Sequence, residues 1–241
     1  MKKISSLIAI LLVIAGIASF SSCRKIIGEG PVLTEERTVA NFTEVETSIP
    51  GAVYLAEGTV QQVRIESQQN IIDVVETKVE DGVLKLKLRN NTILANNSNL
   101  KVYISIPKFR AISLMGSGNV SAESGLNSYD LDLKLTGSGN IDIDRLTGNN
   151  LYSQLTGSGN IHIGAGTVEN QTVRITGSGD YDARNMNSNY ADVTITGSGN
   201  ATVKVNNSLK ARISGSGNVY YYGNPVTDVS ITGSGNVKHQ N

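Results

Sequence analysis

Apolar and polar residues alternate along most of this chain, and one four-residue block interrupts the alternation at near-regular intervals. Leu114, Leu135, Leu155, Ile175, Ile195, Ile213 and Ile231 each stand two residues before a Gly-Ser-Gly-Asn or Gly-Ser-Gly-Asp block. Two residues further back stand Ile112, Leu133, Ser153, Val173, Val193, Ala211 and Val229. The positions between them hold Ser113, Lys134, Gln154, Arg174, Thr194, Arg212 and Ser230. A period of two marks a strand with one buried face. After the block the alternation resumes, as in Ile141 and Ile143 around Asp142, or Ile161 and Ile163 around His162.

The blocks begin at Gly116, Gly137, Gly157, Gly177, Gly197, Gly215 and Gly233, so the spacings are 21, 20, 20, 20, 18 and 18 residues. A repeat of this length is a coil that cannot bury its own apolar face and must stack on copies of itself. The pattern predicts an all-β fold, a right-handed parallel β-helix with about seven regular coils over residues 111–241. Asp144–Asn150 and Arg184–Tyr190 are expected as loops projecting from one edge.

Stacking puts equivalent residues about 4.8 Å apart. Asn119, Asn140, Asn160, Asp180, Asn200, Asn218 and Asn236 are therefore expected as a turn ladder whose amides bond up the stack, with Asp180 the odd member. Ser117 through Ser234 are expected as a parallel column of hydroxyls. The block glycines suit positive φ or close approach between coils. Phosphate or Ca²⁺ binding by such Gly-rich turns finds no support: no Lys-Ser/Thr follows the block, and the period is not that of the nine-residue calcium repeat.

Residues 32–110 keep the alternation without the block. Leu84, Leu86 and Leu88 alternate with Lys85 and Lys87, and Val102, Ile104 and Ile106 precede Pro107. Asp81-Gly82 is a hairpin turn signal, and Asn70–Val79 has spacing for one short helix. This half is expected to start and cap the solenoid with irregular strands, because an open coil end exposes core and strand edges.

The first residues read differently. Lys2 and Lys3 precede an apolar run, Leu7 to Ile17, too short for a finished membrane helix. The run leads to Phe20-Ser21-Ser22-Cys23, similar to a bacterial lipobox although Phe20 replaces the usual Leu. Residues 1–22 are thus read as a lipoprotein signal peptide, Cys23 as the acylated residue, and 23–31 as a short linker. Cys23 is the chain's one Cys, with no disulfide partner or metal companion. The anchor makes the membrane a partner. Arg24-Lys25 after the Cys, in place of acidic residues, favours the periplasmic face of the outer membrane over the cell surface.

Charge is balanced at 21 basic and 21 acidic residues, which gives no argument for nucleic acid. No cofactor or metal site is indicated. One constellation bears on chemistry: Asp142, His162 and Asp182 take the same outward position in three consecutive coils. Two carboxylates two coils apart lie about 9–10 Å from each other, near the upper end of inverting-glycosidase spacing. A solvated face of alternating charge is the favoured reading of the three, and the sequence has no Trp for sugar stacking. In Tyr220-Tyr221-Tyr222, strand parity puts Tyr221 inside and the other two outside.

Together, Asn41-Phe42-Thr43-Glu44-Val45-Glu46 with Pro50-Gly51, Asp81-Gly82-Val83-Leu84-Lys85-Leu86 and the repeated Gly-Ser-Gly-Asn-Ile/Val resemble the bacterial family "putative auto-transporter adhesin, head GIN domain" over roughly residues 40–225. The resemblance implies a secreted or lipid-anchored β-helical protein of the kind common in Bacteroidota, and brings no catalytic residues. The sequence stops at Gln240-Asn241 without a stretch for a translocator barrel, so a lipid anchor is expected in its place. The reading is a non-enzymatic envelope protein that displays a ribbed surface to an envelope protein or glycan. A β-helical polysaccharide lyase or glycoside hydrolase is the alternative.

Overall fold

The computed structural model describes residues 24–95 and 99–241. Residues 1–22, expected as a signal peptide, and Cys23 lie outside the described residues.

The N-terminal half contains β1 (Arg24–Ile26), β2 (Val32–Glu36), β3 (Glu44–Thr47), β4 (Ala52–Glu57), β5 (Gln62–Gln68), a single helical turn α1 (Gln69–Ile72), β6 (Val75–Glu80), β7 (Val83–Leu88), β8 (Thr92–Leu94) and β9 (Lys101–Ile106). The repeat half contains β10 (Ala111–Gly116), β11 (Asn119–Ala122), β12 (Leu126–Gly137), β13 (Asn140–Ile143), β14 (Leu146–Gly157), β15 (Asn160–Ile163), β16 (Gly166–Gly177), β17 (Asp180–Gly197), β18 (Asn200–Gly215), β19 (Asn218–Tyr222), β20 (Val226–Gly233) and β21 (Asn236–His239).

The repeats stack as a parallel β-solenoid of about six turns. Leu114 pairs with Leu135, Leu135 with Leu155, and so on to Ile231. The first six members of this column are at most 3% exposed. Full burial of one such side chain is worth about 1.5–3 kcal/mol, and this column stays aliphatic through the stack.

The turn chemistry explains the invariance of the block. Its first glycine has φ between 109° and 133° in all seven coils, a region that disfavours any side chain. Its carbonyl accepts two hydrogen bonds from the next coil: Gly137 O, for example, takes the N–H groups of Ser158 (2.9 Å) and Gly159 (3.1 Å). The third glycine lies directly on the coil beneath. A Cβ on Gly159 would overlap the Gly139 carbonyl oxygen and come within 2.6 Å of Leu135 Cδ2.

Asp144–Asn150 and Arg184–Tyr190 do not project as loops. Leu146–Asn150 belongs to β14, just after a bend at Asp144, and Arg184–Tyr190 to β17, and they build a third parallel face. Leu126, Ser128, Leu146, Val168, Met186 and Ser188 point inward there. Ser128 and Ser188, small and polar at inward positions, hide the alternation. The fall from 20 to 18 residues also arises on this face: Arg184–Met186 have no counterparts in the next coil, which regains one residue between Val205 and Ser208.

The N-terminal half supplies two more coils, out of chain order. β3 and β4 stack under β10 and β11, with Val53 beside Val120. β7 and β9 stack under β3 and β4. Antiparallel strands then cover the end: β6 on β7, β5 on β9, and β2 on β5. Asp81 and Gly82 turn β6 into β7 with φ of 52° and 78°, the primed geometry of a two-residue hairpin. Among the described residues helix is confined to Gln69–Ile72, where Ile71 and Ile72 are buried, and Val75–Glu80 is strand rather than the second half of a helix. The β6–β7 ladder outbids the helical spacing there.

Candidate functional site

The face built by β9, β4, β11, β13, β15, the starts of β17 and β18, β19 and β21, the second of the solenoid, carries one outward row from end to end. Register places Glu36, Arg64, Tyr103, Tyr54, Ser121, Asp142, His162, Asp182, Thr202, Tyr220 and Lys238 side by side on successive strands. Ten strand spacings make the row about 48 Å long. Asp142, His162 and Asp182 thus do share one line, but as part of a longer one.

Their environments differ. Asp142 and His162 are exposed. Asp182 is half-buried and bound to Arg184: its carboxylate accepts from the guanidinium at 2.7–3.0 Å and from the Arg184 N–H at 3.1 Å. Burial opposes ionisation at Asp182, but the Arg184 hydrogen bonds outweigh it and hold the carboxyl below its ordinary range. A general acid needs the opposite displacement.

The N-terminal end of the row is the more structured. The rings of Tyr54 and Tyr103 stack with centroids 5.1 Å apart and planes 16° apart. The Arg64 guanidinium lies 4.3 Å from the centroid of Tyr103. Beside this stack runs a cleft of about 610 Å³, floored by Ala56 and Ser105 and bounded by Gln62 and Glu36 on one side and Ser121, Glu123 and Ser124 on the other. Sequence reasoning missed this pair. The signal was present, since Tyr54 and Tyr103 each hold the outward position in an alternating strand, but their adjacency depends on β9 stacking beneath β4.

The turn residues Asn119, Asn140, Asn160, Asp180, Asn200, Asn218 and Asn236 line one corner. Asn140 Nδ2 donates to Asn119 Oδ1 at 2.9 Å, and Asn160 Nδ2 to Asn140 Oδ1 at 3.0 Å. Asp180 has no side-chain donor, and its backbone N–H reaches Asn160 Oδ1 at 3.3 Å. Above it the amides resume, through Asn200, Asn218 and Asn236. These side chains are exposed or half-buried, so water shares the ladder. The block serines are exposed, and among the described residues no hydrogen bond joins their hydroxyls. A second amide ladder, Asp130–Asn150–Asn170, runs along another corner at 2.6 and 2.8 Å.

Tyr221 is partly buried against the core and packs on His239, with ring centroids 5.2 Å apart. Tyr220 and Tyr222 are half-exposed. Among the described residues, no group of three or more His, Cys, Asp or Glu is placed to hold a metal.

Residues 41–225 match the family described as "Putative auto-transporter adhesin, head GIN domain". The chain belongs to that family. Several solved structures share the head GIN fold. A "putative adhesin" from Bacteroides fragilis NCTC 9343 is 28% identical, with a TM-score of 0.86 over 89% of this chain and 100% of that one. A "putative lipid binding protein" from Parabacteroides distasonis ATCC 8503 is 24% identical, with a TM-score of 0.74 over 90% of this chain and 100% of that one. A "putative adhesin" from Parabacteroides merdae ATCC 43184 is 22% identical, with a TM-score of 0.73 over 90% of this chain and 99% of that one. No curated protein matches the chain. The head GIN assignment covers both the coils contributed by β3, β4, β7 and β9 and most of the regular repeats.

Proposed function

We propose that the chain is a lipid-anchored protein of the bacterial outer membrane that binds an envelope protein or glycan through the outward row of its second face and does not turn it over. The observation that carries this reading is the row itself. It offers side chains in register over about 48 Å, while the one carboxylate in its middle with a fixed partner, Asp182, is held ionised by Arg184. An array of this kind suits an extended polymer or a protein surface. Membership of a family described as adhesins supports the same reading. Among the described residues no helix is long and apolar enough to cross a membrane, and Cys23 supplies the attachment, on the periplasmic face.

Two measurements test it. A binding screen of glycans and envelope components against the purified chain should return a ligand without release of reducing ends or unsaturated sugars. Release that disappears in an Asp142→Asn/Asp182→Asn double variant would move the protein to the polysaccharide-degrading enzymes. Cys23→Ala should shift the protein from the membrane to the soluble fraction, and protease added to intact cells should leave the wild type uncut.

A further inference from the structure

The cleft beside Tyr54 and Tyr103 has a chemistry more specific than display. We propose that it binds a neutral glycan, with one sugar ring stacked on the free face of Tyr54. The proposal rests on the binding reading above and names the ligand class and the residues.

Tyr103 is enclosed, with the Arg64 guanidinium on one face and Tyr54 on the other. Tyr54 uses one face on Tyr103, and the other looks toward the next strand, where the register partner is Ser121. A serine there leaves ring-sized space. The strand register and the stack on Tyr103 hold the Tyr54 ring in place before any ligand arrives, so little side-chain freedom remains to be lost on binding. The electron-rich face of a fixed phenol ring suits the C–H face of a pyranose, whose hydrogens carry partial positive charge.

The polar groups around it match the other half of a sugar. Gln62 Nε2 donates to Glu36 Oε1 at 2.7 Å. Both side chains line the cleft, and this bond leaves the second Glu36 oxygen and the Gln62 carbonyl able to accept from a ligand. Glu123 adds another carboxylate, and Ser105, Ser121 and Ser124 add hydroxyls that donate or accept. Neighbouring sugar hydroxyls need such closely set acceptors and two-way groups. At about 610 Å³ the space suits one or two sugar rings.

Charge decides which sugar. Glu36 and Glu123 bring two negative charges and Arg64 one positive, so the lining is net negative by one. Arg64 is engaged over Tyr103. Uronates, sulfated glycans and phosphosugars would meet carboxylates at both sides of the cleft, whereas neutral hexoses and N-acetylhexosamines would not.

The test uses the full-length chain in a detergent without a sugar headgroup. The probes are N-acetylglucosamine, mannose and glucose oligomers, with polygalacturonate and dextran sulfate as anionic comparisons and polylysine as a cationic one. Binding of a neutral oligomer in preference to the charged probes is expected. Tyr54→Ala should weaken it by about tenfold, the loss of one stacking contact, and Glu123→Gln should weaken it less. Ser121→Tyr removes nothing from the fold and fills the ring-sized space, so it should abolish binding even if Tyr54→Ala proves unstable. Tyr129→Ala, an exposed tyrosine outside the row, should bind as wild type. Preference for an anionic or cationic probe overturns the proposal. So does neutral-glycan binding that survives both Tyr54→Ala and Ser121→Tyr, although the broader binding reading would then stand. Turnover in place of binding would overturn that broader reading.

Discussion

Asp180 accepts two hydrogen bonds from Asn200 through one oxygen: the backbone N–H and the side-chain amide each lie 2.9 Å from Oδ1. Below, toward Asn160, Asp180 offers only its backbone N–H. The acid therefore breaks the amide chain on one side alone. Asp180→Asn restores a donor to Asn160 Oδ1 while keeping the acceptor for Asn200. The variant should be more stable by up to about 1 kcal/mol, the worth of one hydrogen bond, read as a higher urea midpoint at unchanged m-value. Asn160→Ala removes a donor to Asn140 and the acceptor for the Asp180 N–H. Water replaces both at this exposed position, so its cost should stay near 1 kcal/mol, below the range for a stranded buried group.

Gly116 and Gly157 are matched positions with matched backbones, at φ of 109° and 121°. A Cβ on Gly116 meets nothing within 4 Å, whereas one on Gly157 would overlap the Gly137 carbonyl. Gly116→Ala should cost only the strain of positive φ, about 1–2 kcal/mol. Gly157→Ala should cost several kcal/mol or prevent folding. Equal melting temperatures for the two variants would mean that coil-to-coil contact is not what excludes a side chain.

Tyr181 and Gln171 put polar groups into otherwise aliphatic columns. The Tyr181 hydroxyl donates to Gln171 Oε1 at 2.6 Å, Gln171 Nε2 to Ser188 Oγ at 3.2 Å, and Ser188 Oγ to the Lys204 carbonyl at 3.0 Å. Burial pushes the Tyr181 phenol well above its ordinary range, so it stays a donor. Tyr181→Phe strands the Gln171 oxygen and should cost about 1–3 kcal/mol. Adding Gln171→Leu to that variant should restore much of the loss, and a double-mutant cycle in urea would measure the coupling.

Asp182 carries a pH signature. Its carboxyl is shifted down in the folded protein, so its contribution is present above the unfolded value of about 3.9 and is lost as pH falls through the lower folded value. The stability gap between wild type and Asp182→Asn should be constant above about pH 5 and close toward strongly acidic pH. A gap that grew on acidification would contradict the Arg184 pairing.

Much of this architecture was legible because the solenoid repeats its instructions. Leu135, Leu155 and Ile175 announce a column by spacing alone, and Asn140 and Asn160 announce a ladder. Asp130, Asn150 and Asn170 carried the same 20-residue signal, but no invariant block marked them. The third face escaped because Ser128, Gly148 and Ser188 occupy positions where Leu or Ile would have shown the alternation. Tyr54 and Tyr103 escaped for a topological reason. The chain lays down β4 before β9 yet stacks β9 beneath it, and no periodicity along the sequence encodes that exchange.

Among the described residues the coil of β20 and β21 has a neighbour on one side only. Val229 and Ile231 are 43% and 40% exposed, whereas Ala211 and Ile213, one coil below, are at most 3%. At the opposite end β2, β5, β6 and α1 shelter the core. In a stack held by nearest-neighbour contacts, opening costs least where one contact is missing. The molecule therefore has a direction in which it unravels. Losing β20 and β21 exposes Ala211 and Ile213, and leaves a new end with the same weakness as the old. Unfolding advances from the C-terminus as a sequence of like steps, each about one repeat long, and the stack above the Tyr54 cleft acts as a consumable margin between the frayed end and the site.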